Sequence, residues 1–186
     1  MQCTKCVVVG DGFVGKTALV GVFSNKEYKE TYVPTIFDNK IVGIQYKQTW
    51  INLGVFDTAG QEEYDKLRPM AYTDTDVFIV CFSMVDRDSL ENILNKWAPE
   101  LDKYCPKARR LLVGTKVDLW TNSEYSGRAI SQEYIDEIAN QIGAVDFLAV
   151  SALEQQGVEE VFQRVAEIAL ELGEPEKKKK SECSVM

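Results

Sequence analysis

The stretch Gly10-Asp-Gly-Phe-Val-Gly-Lys-Thr17 matches the pattern GxxxxGK[ST], and it directly follows the apolar run CVVV at residues 6–9. Glycines in such a loop let backbone N–H groups surround phosphate oxygens, because a Cβ atom there would obstruct the approach. A helix that begins directly after the loop adds the positive end of its dipole. The Lys16 ammonium can then reach the β- and γ-phosphates, and the Thr17 hydroxyl can bind Mg²⁺. The sequence therefore predicts a phosphate-binding loop between a strand and a helix, rather than an incidental glycine-rich turn.

Apolar runs alternate with helical patterns along the rest of the chain. Runs typical of buried parallel strands lie at residues 77–82, 111–113 and 147–150. An antiparallel hairpin at a sheet edge is predicted over residues 36–46 and 49–56. Helical periodicity covers residues 88–104, 131–142 with Ser131 as N-cap, and 158–172 with Gly173 as C-cap. This alternation predicts an α/β fold with a mostly parallel sheet and helices on both faces.

Composition excludes several classes of protein. The chain has 186 residues, a net charge of −8 and no histidine, so Ser-His-Asp catalysis and HExxH zinc chemistry are excluded. The excess of acidic residues in the predicted domain disfavours nucleic-acid binding, which needs a basic surface to replace phosphate counterions. Five scattered cysteines are typical of a reducing compartment. We expect one domain over residues 1–173, a flexible tail over residues 174–186, and neither a signal peptide nor a transmembrane helix.

A second motif predicts which base is bound. The sequence Thr115-Lys-Val-Asp118 follows the predicted strand at 111–113, at the same sheet edge as the phosphate loop. The Asp118 carboxylate can accept both the ring N–H and the exocyclic amine of guanine. Adenine would present a lone pair instead, and an unpaired buried charge costs about 1–3 kcal/mol or more. Ser151-Ala-Leu153, after the last strand, would close over the base with backbone N–H groups.

A third motif predicts hydrolysis. In Asp57-Thr-Ala-Gly-Gln61, Asp57 is placed to hold Mg²⁺ through water, Gly60 offers an N–H to a γ-phosphate, and Gln61 can orient a water molecule. Upstream, Thr35 in the loop Tyr32-Val-Pro-Thr35 could complete the Mg²⁺ shell only when a γ-phosphate is bound. A plain DTxG turn is the alternative, which three phosphate motifs in this order disfavour.

The segments GDGFVGKT, YVPTIFDN, DTAGQEEYDKLRPMAY, TKVD and SAL, in that order, closely resemble Ras-superfamily small GTPases. FDN after Thr35, LRPMAY at residues 67–72, and TK rather than NK before Asp118 resemble the Rho family, nearest its Rac branch. The resemblance implies a P-loop small GTPase fold with a six-stranded sheet, one strand antiparallel, and five helices. It also implies a GTP/GDP cycle with two switch loops at residues 28–40 and 60–72.

The resemblance also assigns roles to residues. Catalysis would depend on Gln61, Lys16 and Thr35. Mg²⁺ would be held by Thr17 and Thr35, with Asp57 acting through water. The effector segment would comprise Tyr32, Val33, Pro34, Thr35, Ile36, Phe37, Asp38, Asn39 and Lys40. The nucleotide-binding residues would be Gly12, Phe13, Val14, Gly15, Lys16, Thr17, Ala18, Tyr28, Tyr32, Thr35, Asp57, Gly60, Thr115, Lys116, Asp118, Ser151, Ala152 and Leu153.

The chain departs from the family pattern at four places. Phe13 replaces a small residue in the phosphate loop, Tyr28 replaces a phenylalanine beside the guanine, and Lys40 replaces a tyrosine of the effector segment. The stretch at residues 119–130 is too short for the full insert helix of Rho proteins. Phe13 could alter nucleotide exchange and Lys40 the choice of effector, whereas partners that need the insert helix are not expected.

Partners follow from the resemblance and from the residues. No arginine precedes Arg68, so the first switch holds no arginine finger, and we expect a GTPase-activating protein to donate one. The family also implies an exchange factor, a dissociation inhibitor, effectors of the GTP form, a monomeric state and a role in the cytoskeleton. A P-loop kinase or ATPase, and a GTP-locked binding module with little hydrolysis, are the alternatives.

The tail predicts a membrane anchor. Cys183-Ser-Val-Met186 matches the C-a-a-X prenylation pattern, and a final Met favours farnesyl. One lipid chain combined with a polybasic patch gives stable anchoring, and Lys177 to Lys180 lie just upstream. The expected location is the cytoplasmic face of the plasma membrane or another membrane, with a cytosolic pool. A solvated lysine tail with an incidental cysteine is the alternative.

Overall fold

The computed structural model describes residues 2–28 and 37–173, and its centre is one six-stranded sheet in the order β2-β3-β1-β4-β5-β6. β2 pairs antiparallel with β3, and every other neighbouring pair is parallel. The strands are β1 (Gln2–Val9), β2 (Phe37–Tyr46), β3 (Thr49–Thr58), β4 (Val77–Ser83), β5 (Arg109–Thr115) and β6 (Asp146–Ala149). The predicted sheet, with its single antiparallel edge strand, is confirmed.

The strand sequences reflect their positions in the sheet. β4 lies in the centre and every one of its residues is buried, which explains its continuous apolar run. β3, next to the edge, alternates between buried and half-buried residues along its middle. The tight turn between β2 and β3 places Lys47 at φ 53°, in the left-handed region. The predicted hairpin is therefore confirmed with bounds shifted by one or two residues.

Helices cover both faces of the sheet, as predicted. The helices are α1 (Lys16–Asn25), α2 (Arg87–Asn92), α3 (Ala98–Tyr104), α4 (Val117–Trp120), α5 (Gln132–Gln141) and α6 (Val158–Gly173). α1 and α6 pack on one face, where the rings of Phe23 and Phe162 stack with centroids 3.7 Å apart. α2, α3 and α5 cover the other face around the fully buried Trp97. The predicted N-cap Ser131 accepts a hydrogen bond from the Tyr134 amide.

The helix expected over residues 88–104 is interrupted. Between α2 and α3, the residues Ile93–Trp97 form a π-helical turn in which the Ala98 amide donates to the Ile93 carbonyl. Pro99 lies in the first turn of α3. Its missing N–H cannot close a regular helical hydrogen bond and its ring crowds the preceding turn, which favours the wider π-turn. The expected five helices therefore become six α-helical segments in the described chain.

Other boundaries differ locally. Gly173 is the last residue of α6 rather than a cap beyond it. Residues 119–130 contain the end of α4 and one short 3₁₀ turn at Ser123–Tyr125, which agrees with the expected lack of a full insert helix. The tail over residues 174–186 lies outside the described residues, so its separation from the domain stays a prediction. No helix in the described part of the chain is long and apolar enough to cross a membrane.

Candidate nucleotide site

The predicted motifs meet at one edge of the sheet. β1 and β3 are parallel and in register, with Val8 opposite Asp57, so the phosphate loop and Asp57 leave the sheet side by side. β5 and β6 are parallel to β1 and end at Thr115 and Ala149, which places the base motifs at the same edge. Ligands of open α/β sheets bind at this carboxyl edge.

The phosphate loop needs its glycines for backbone reasons. A Cβ atom on Gly10 would lie 2.2 Å from the Cys81 carbonyl oxygen, so β4 leaves no room for a side chain there. Gly15, the N-cap of α1, has φ 103°, which side chains rarely tolerate. Phe13 adopts φ 65° and is 68% exposed, so the large ring points away from the core. The loop therefore forms despite the phenylalanine.

Lys16 lies inside the loop. Its ammonium donates to the carbonyl oxygens of Gly10 (2.8 Å) and Asp11 (2.7 Å), and the side chain is buried. Burial lowers the pKa of Lys16, and the nearby Asp57 carboxylate acts in the opposite direction. A poorly hydrated ammonium held by two carbonyls can exchange them for phosphate oxygens at little solvation cost. The position of Lys16 therefore agrees with its predicted role.

Thr17 and Asp57 supply a donor set for Mg²⁺. The Thr17 hydroxyl donates to Asp57 Oδ2 across 2.6 Å, which turns the oxygen lone pairs of Thr17 away from the carboxylate. In the described part of the chain no group of three or more Asp, Glu, Cys or His side chains could hold a metal. Magnesium does not require one, because it binds through one or two protein oxygens together with substrate phosphates. The hydroxyl and carboxylate therefore fit the predicted metal.

The hydrolytic motif lies against the phosphate loop. A Cβ atom on Gly60 would lie 2.4 Å from the Gly10 carbonyl oxygen, so the two backbones are in direct contact. A Cβ atom on Gly12 would lie 3.8 Å from Gln61 Cγ, so the Gln61 side chain covers that glycine. The arrangement places the Gly60 amide and the Gln61 carboxamide beside the phosphate-binding backbone.

The base motifs are tied to the loop by hydrogen bonds. Lys116 Nζ donates to the Phe13 carbonyl (2.8 Å), and the Thr115 hydroxyl donates to the carbonyls of Val14 and Phe82. Asp118 is half-buried in α4, and this helix begins directly after its N-cap Lys116, which has φ 58°. These contacts fix the base motif relative to the phosphate loop.

The Ser151 amide already has a partner within the described chain. It donates to the Gln156 carbonyl (3.0 Å) in an isolated bridge, and the place of Ser151 in the base site stays a prediction. The backbone amides of Ala152 and Leu153 are still predicted to close over the base. The Ser151 side chain instead accepts from the Glu154 amide (3.0 Å) and shapes the turn.

A family model describes most of the chain. The Ras family model matches residues 5–171. The chain belongs to the Ras family. Ras-family proteins are small GTPases that bind GTP or GDP with Mg²⁺, and they interact with exchange factors, GTPase-activating proteins and effectors. The six-stranded sheet and the geometry at its carboxyl edge are those of the P-loop small GTPase fold.

Part of the effector segment of this Ras-family chain is described. Lys40 Nζ donates to the Ser24 hydroxyl on α1 (2.9 Å) and lies 4.0 Å from the Asp38 carboxylate, so the lysine packs along the helix. Asn39 is exposed, and Tyr28 is 38% exposed. Tyr32, Val33, Pro34, Thr35 and Ile36 lie outside the described residues, as does the Phe37 side chain, so their roles stay predictions.

Sequence reasoning missed three residues beside the site. Asp11 occupies a variable position of the phosphate motif, and Trp97 lies in the stretch 88–104, for which the sequence predicts only a helix. Arg68 is buried, and its Nη1 donates to the Ala59 carbonyl (3.0 Å). A buried arginine and an indole N–H both require partners, but the sequence does not indicate which ones.

Proposed function

We propose that this small GTPase is a Rho-type switch that hydrolyses GTP slowly alone and signals from a membrane to effectors of its GTP form, including regulators of the cytoskeleton. The observation that carries GTP binding is the Lys16 ammonium inside the phosphate loop, beside the Thr17–Asp57 hydrogen bond. The Rho-type features are the segments FDN and LRPMAY and the TKVD form of the base motif.

Each residue has a separate task in hydrolysis. Lys16 and the loop amides bind the β- and γ-phosphate oxygens, and Gly60 offers its N–H to the γ-phosphate. Gln61 orients the attacking water. Thr17 and Thr35, with Asp57 acting through water, would hold magnesium, which would neutralise phosphate charge. These tasks are alignment and charge neutralisation, so the absence of histidine from the sequence is no obstacle.

Stimulation would come from a partner. Residues 1–67 contain no arginine, and the first arginine, Arg68, is buried and paired with Glu100. Arg68 therefore cannot turn toward the γ-phosphate without leaving its carboxylate unpaired. In Ras, the reference case for this chemistry, an arginine supplied by a partner raises the rate about 10⁵-fold. We expect the same dependence on a GTPase-activating protein here.

Guanine selectivity tests the nucleotide assignment. Fluorescent GDP is expected to bind the purified protein and fluorescent ADP is not, and Asp118→Ala should reduce this discrimination by about tenfold or more. Asp136→Ala, an exposed aspartate on α5, is the control and should keep full selectivity. Equal binding of both nucleotides by the unaltered protein would instead support the P-loop kinase or ATPase alternative.

Single-turnover hydrolysis tests the switch against a GTP-locked binding module. The unaltered protein is expected to convert bound GTP to GDP slowly, and Gln61→Leu should remove most of this rate while leaving GDP dissociation unchanged. Gln141→Leu, at the exposed end of α5, is the matched control. No measurable turnover by the unaltered protein would favour the GTP-locked module. The exposed Phe13, which replaces a small residue of the family's phosphate loop, would then be a candidate cause.

Membrane anchoring is proposed from the tail sequence. Prenylation of Cys183 together with Lys177 to Lys180 would hold the protein on an anionic cytoplasmic leaflet. Cys183→Ser is expected to move the protein to the soluble fraction of cells, whereas Cys3→Ser, which alters an exposed thiol in β1, should not. Membrane association that survives Cys183→Ser would refute the anchor.

Effector choice depends on the nucleotide state and on Lys40. Proteins captured by the GTP-loaded form but not by the GDP-loaded form are expected to include cytoskeletal regulators. Lys40→Tyr would restore the family residue and release the contact with Ser24. A captured set without cytoskeletal proteins would contradict the Rho-type assignment while leaving the GTPase activity intact.

A further inference from the structure

The phosphate loop is hydrogen bonded to a helix through the side chain of Asp11. Its carboxylate accepts one hydrogen bond from Asn92 Nδ2 (2.6 Å) and another from Trp97 Nε1 (2.7 Å). The backbone carbonyl of the same residue accepts from the Lys16 ammonium (2.7 Å). Asp11 therefore links the lysine that binds phosphate to a helix more than 80 residues away in the sequence.

The π-turn makes the double contact possible. Asn92 and Trp97 are five residues apart, and in a regular α-helix such residues point about 140° away from each other. A π-turn closes its hydrogen bond between residues five apart, as between Ile93 and Ala98, so positions i and i+5 fall on nearly the same side. Both donors can then reach one carboxylate. π-turns within helices are frequent at functional sites.

The other side of the indole is in contact with the hydrolytic motif. The Arg68 guanidinium lies 4.4 Å from the centroid of the Trp97 ring, and Arg68 Nη1 donates to the Ala59 carbonyl (3.0 Å). Arg68 is held in place by both carboxylate oxygens of Glu100, at 3.0 and 2.7 Å. Ala59 directly precedes Gly60 and Gln61, the residues expected at the γ-phosphate.

We propose that Trp97 is a positioning residue for GTP hydrolysis. Its N–H fixes the phosphate loop through Asp11, and its ring supports Arg68, which fixes the backbone at Ala59. One fully buried side chain therefore sets the separation between the loop that binds the phosphates and the residue that orients water. This inference rests on the proposed GTPase function.

The physical argument is one of alignment. Gly60 contacts the phosphate-loop backbone directly, so a small movement of Asp11 relative to Ala59 changes the position of Gln61. Misalignment by about 1 Å lowers the rates of enzymatic reactions by up to about 10²-fold. A hydrogen bond from a buried N–H to a carboxylate is among the stronger neutral-to-charged contacts in proteins. Its loss should therefore be visible in the rate of the chemical step.

The test compares two tryptophans that each donate one hydrogen bond. Trp97→Phe removes the N–H but keeps an aromatic face beneath Arg68. Trp120→Phe is the matched control, because Trp120 Nε1 donates to the Ile130 carbonyl (3.0 Å), which lies outside this network. Single-turnover hydrolysis is expected to fall about tenfold for Trp97→Phe and to stay within about twofold for Trp120→Phe. The dissociation rate of fluorescent GDP should be similar in both.

A second background separates positioning from general loosening. If Trp97 acts through Gln61, then Trp97→Phe should slow hydrolysis no further in a Gln61→Leu protein, because the oriented water is already lost. A merely structural role would slow hydrolysis by the same factor in both backgrounds. That outcome, or an equal rate for Trp97→Phe and Trp120→Phe, would overturn the proposal.

A variant at the loop keeps the test decisive if Trp97→Phe fails to fold. Asp11 is half-buried, and Asp11→Ala removes the acceptor while leaving the carbonyl that binds Lys16. It should reproduce the tenfold loss and the lack of effect in the Gln61→Leu background, and normal hydrolysis by Asp11→Ala would refute the link. Failure of the unaltered protein to bind or hydrolyse GTP would instead refute the proposed function itself.

Discussion

Gly60 is the position at which one added methyl group should most disturb the reaction. In Gly60→Ala, the new Cβ would lie 2.4 Å from the Asp11 carbonyl carbon and the Gly10 carbonyl oxygen, and 2.5 Å from the Gly12 nitrogen. All three atoms belong to the phosphate-loop backbone, so no side chain can rotate away. Carbon atoms in contact prefer separations of about 3.5–4.0 Å, so the loop and the hydrolytic motif must move apart by about 1 Å.

The expected losses follow from that displacement. Overpacking of this kind costs about 1–3 kcal/mol of stability. A misalignment of about 1 Å at the reacting groups should lower single-turnover GTP hydrolysis by about 10²-fold. Lys16 and Thr17 remain in place on α1, so GDP binding should change much less than the rate. Hydrolysis of preloaded GTP and dissociation of fluorescent GDP measure the two effects separately.

A second glycine provides the control. Gly21 lies inside α1, and a Cβ atom there meets nothing within 4 Å. Gly21→Ala should leave hydrolysis unchanged and raise the free energy of unfolding by about 1 kcal/mol, because alanine favours helix. If the single-turnover rate of Gly60→Ala lies within about threefold of the rate of Gly21→Ala, then the close contact between Gly60 and the phosphate loop does not control alignment, and the reasoning is wrong.

Three further changes test the described structure. Arg68→Met should lower the free energy of unfolding by about 1–3 kcal/mol in urea denaturation, because it removes the charged donor from the half-buried Glu100 carboxylate, whereas Arg87→Ala, at an exposed ion pair, should change it little. With the tail cysteine replaced by serine, iodoacetamide at pH 8 should label the exposed Cys3 and spare Cys81, because burial raises the pKa of the Cys81 thiol to about 12 and so disfavours the thiolate. Rapid labelling of Cys81, identified by peptide mapping, would contradict this. Thr115→Val should destabilise the domain by about 1–3 kcal/mol, since it removes the single hydroxyl proton that the Val14 and Phe82 carbonyls share, and an unchanged unfolding midpoint would contradict this.

Most of the fold could be predicted because its signals are local. The run at 77–82 is apolar throughout and corresponds to β4, and the periodicity at 158–172 corresponds to α6 with its apolar face on the sheet. The π-turn could not be predicted in this way. A π-turn adds one residue to a helical turn, and one extra residue hardly alters the apolar pattern over residues 88–104. Pro99 is no clear signal either, because proline is also compatible with the first turn of a new helix.

The candidate site could be predicted where backbone geometry dictates the residue. Gly10 and Gly60 are required because a Cβ atom would collide with a neighbouring backbone, and such requirements produce a motif. Asp11 and Trp97 were missed because their contact spans 86 residues and any acceptor for the indole would satisfy the same physical need. The bridge between Ser151 and Gln156 could not be predicted for a related reason, since it depends on a turn without a sequence signature.

The described contacts show that the hydrolytic motif is buried up to Gly60 and more exposed after it. Asp57 is bonded to Thr17 and pairs with β1, and the Ala59 carbonyl is held by Arg68, so the chain is anchored on both sides of residue 58. Residues 61–67 are half-buried or exposed and contain a single short 3₁₀ turn. A γ-phosphate that draws on the Gly60 amide therefore acts at the boundary between these parts. Because the residues before Gly60 are anchored, we expect a hydrogen bond from the Gly60 amide to the γ-phosphate to move Gln61 and the residues after it. Such a movement would make this segment differ between the GTP and GDP states.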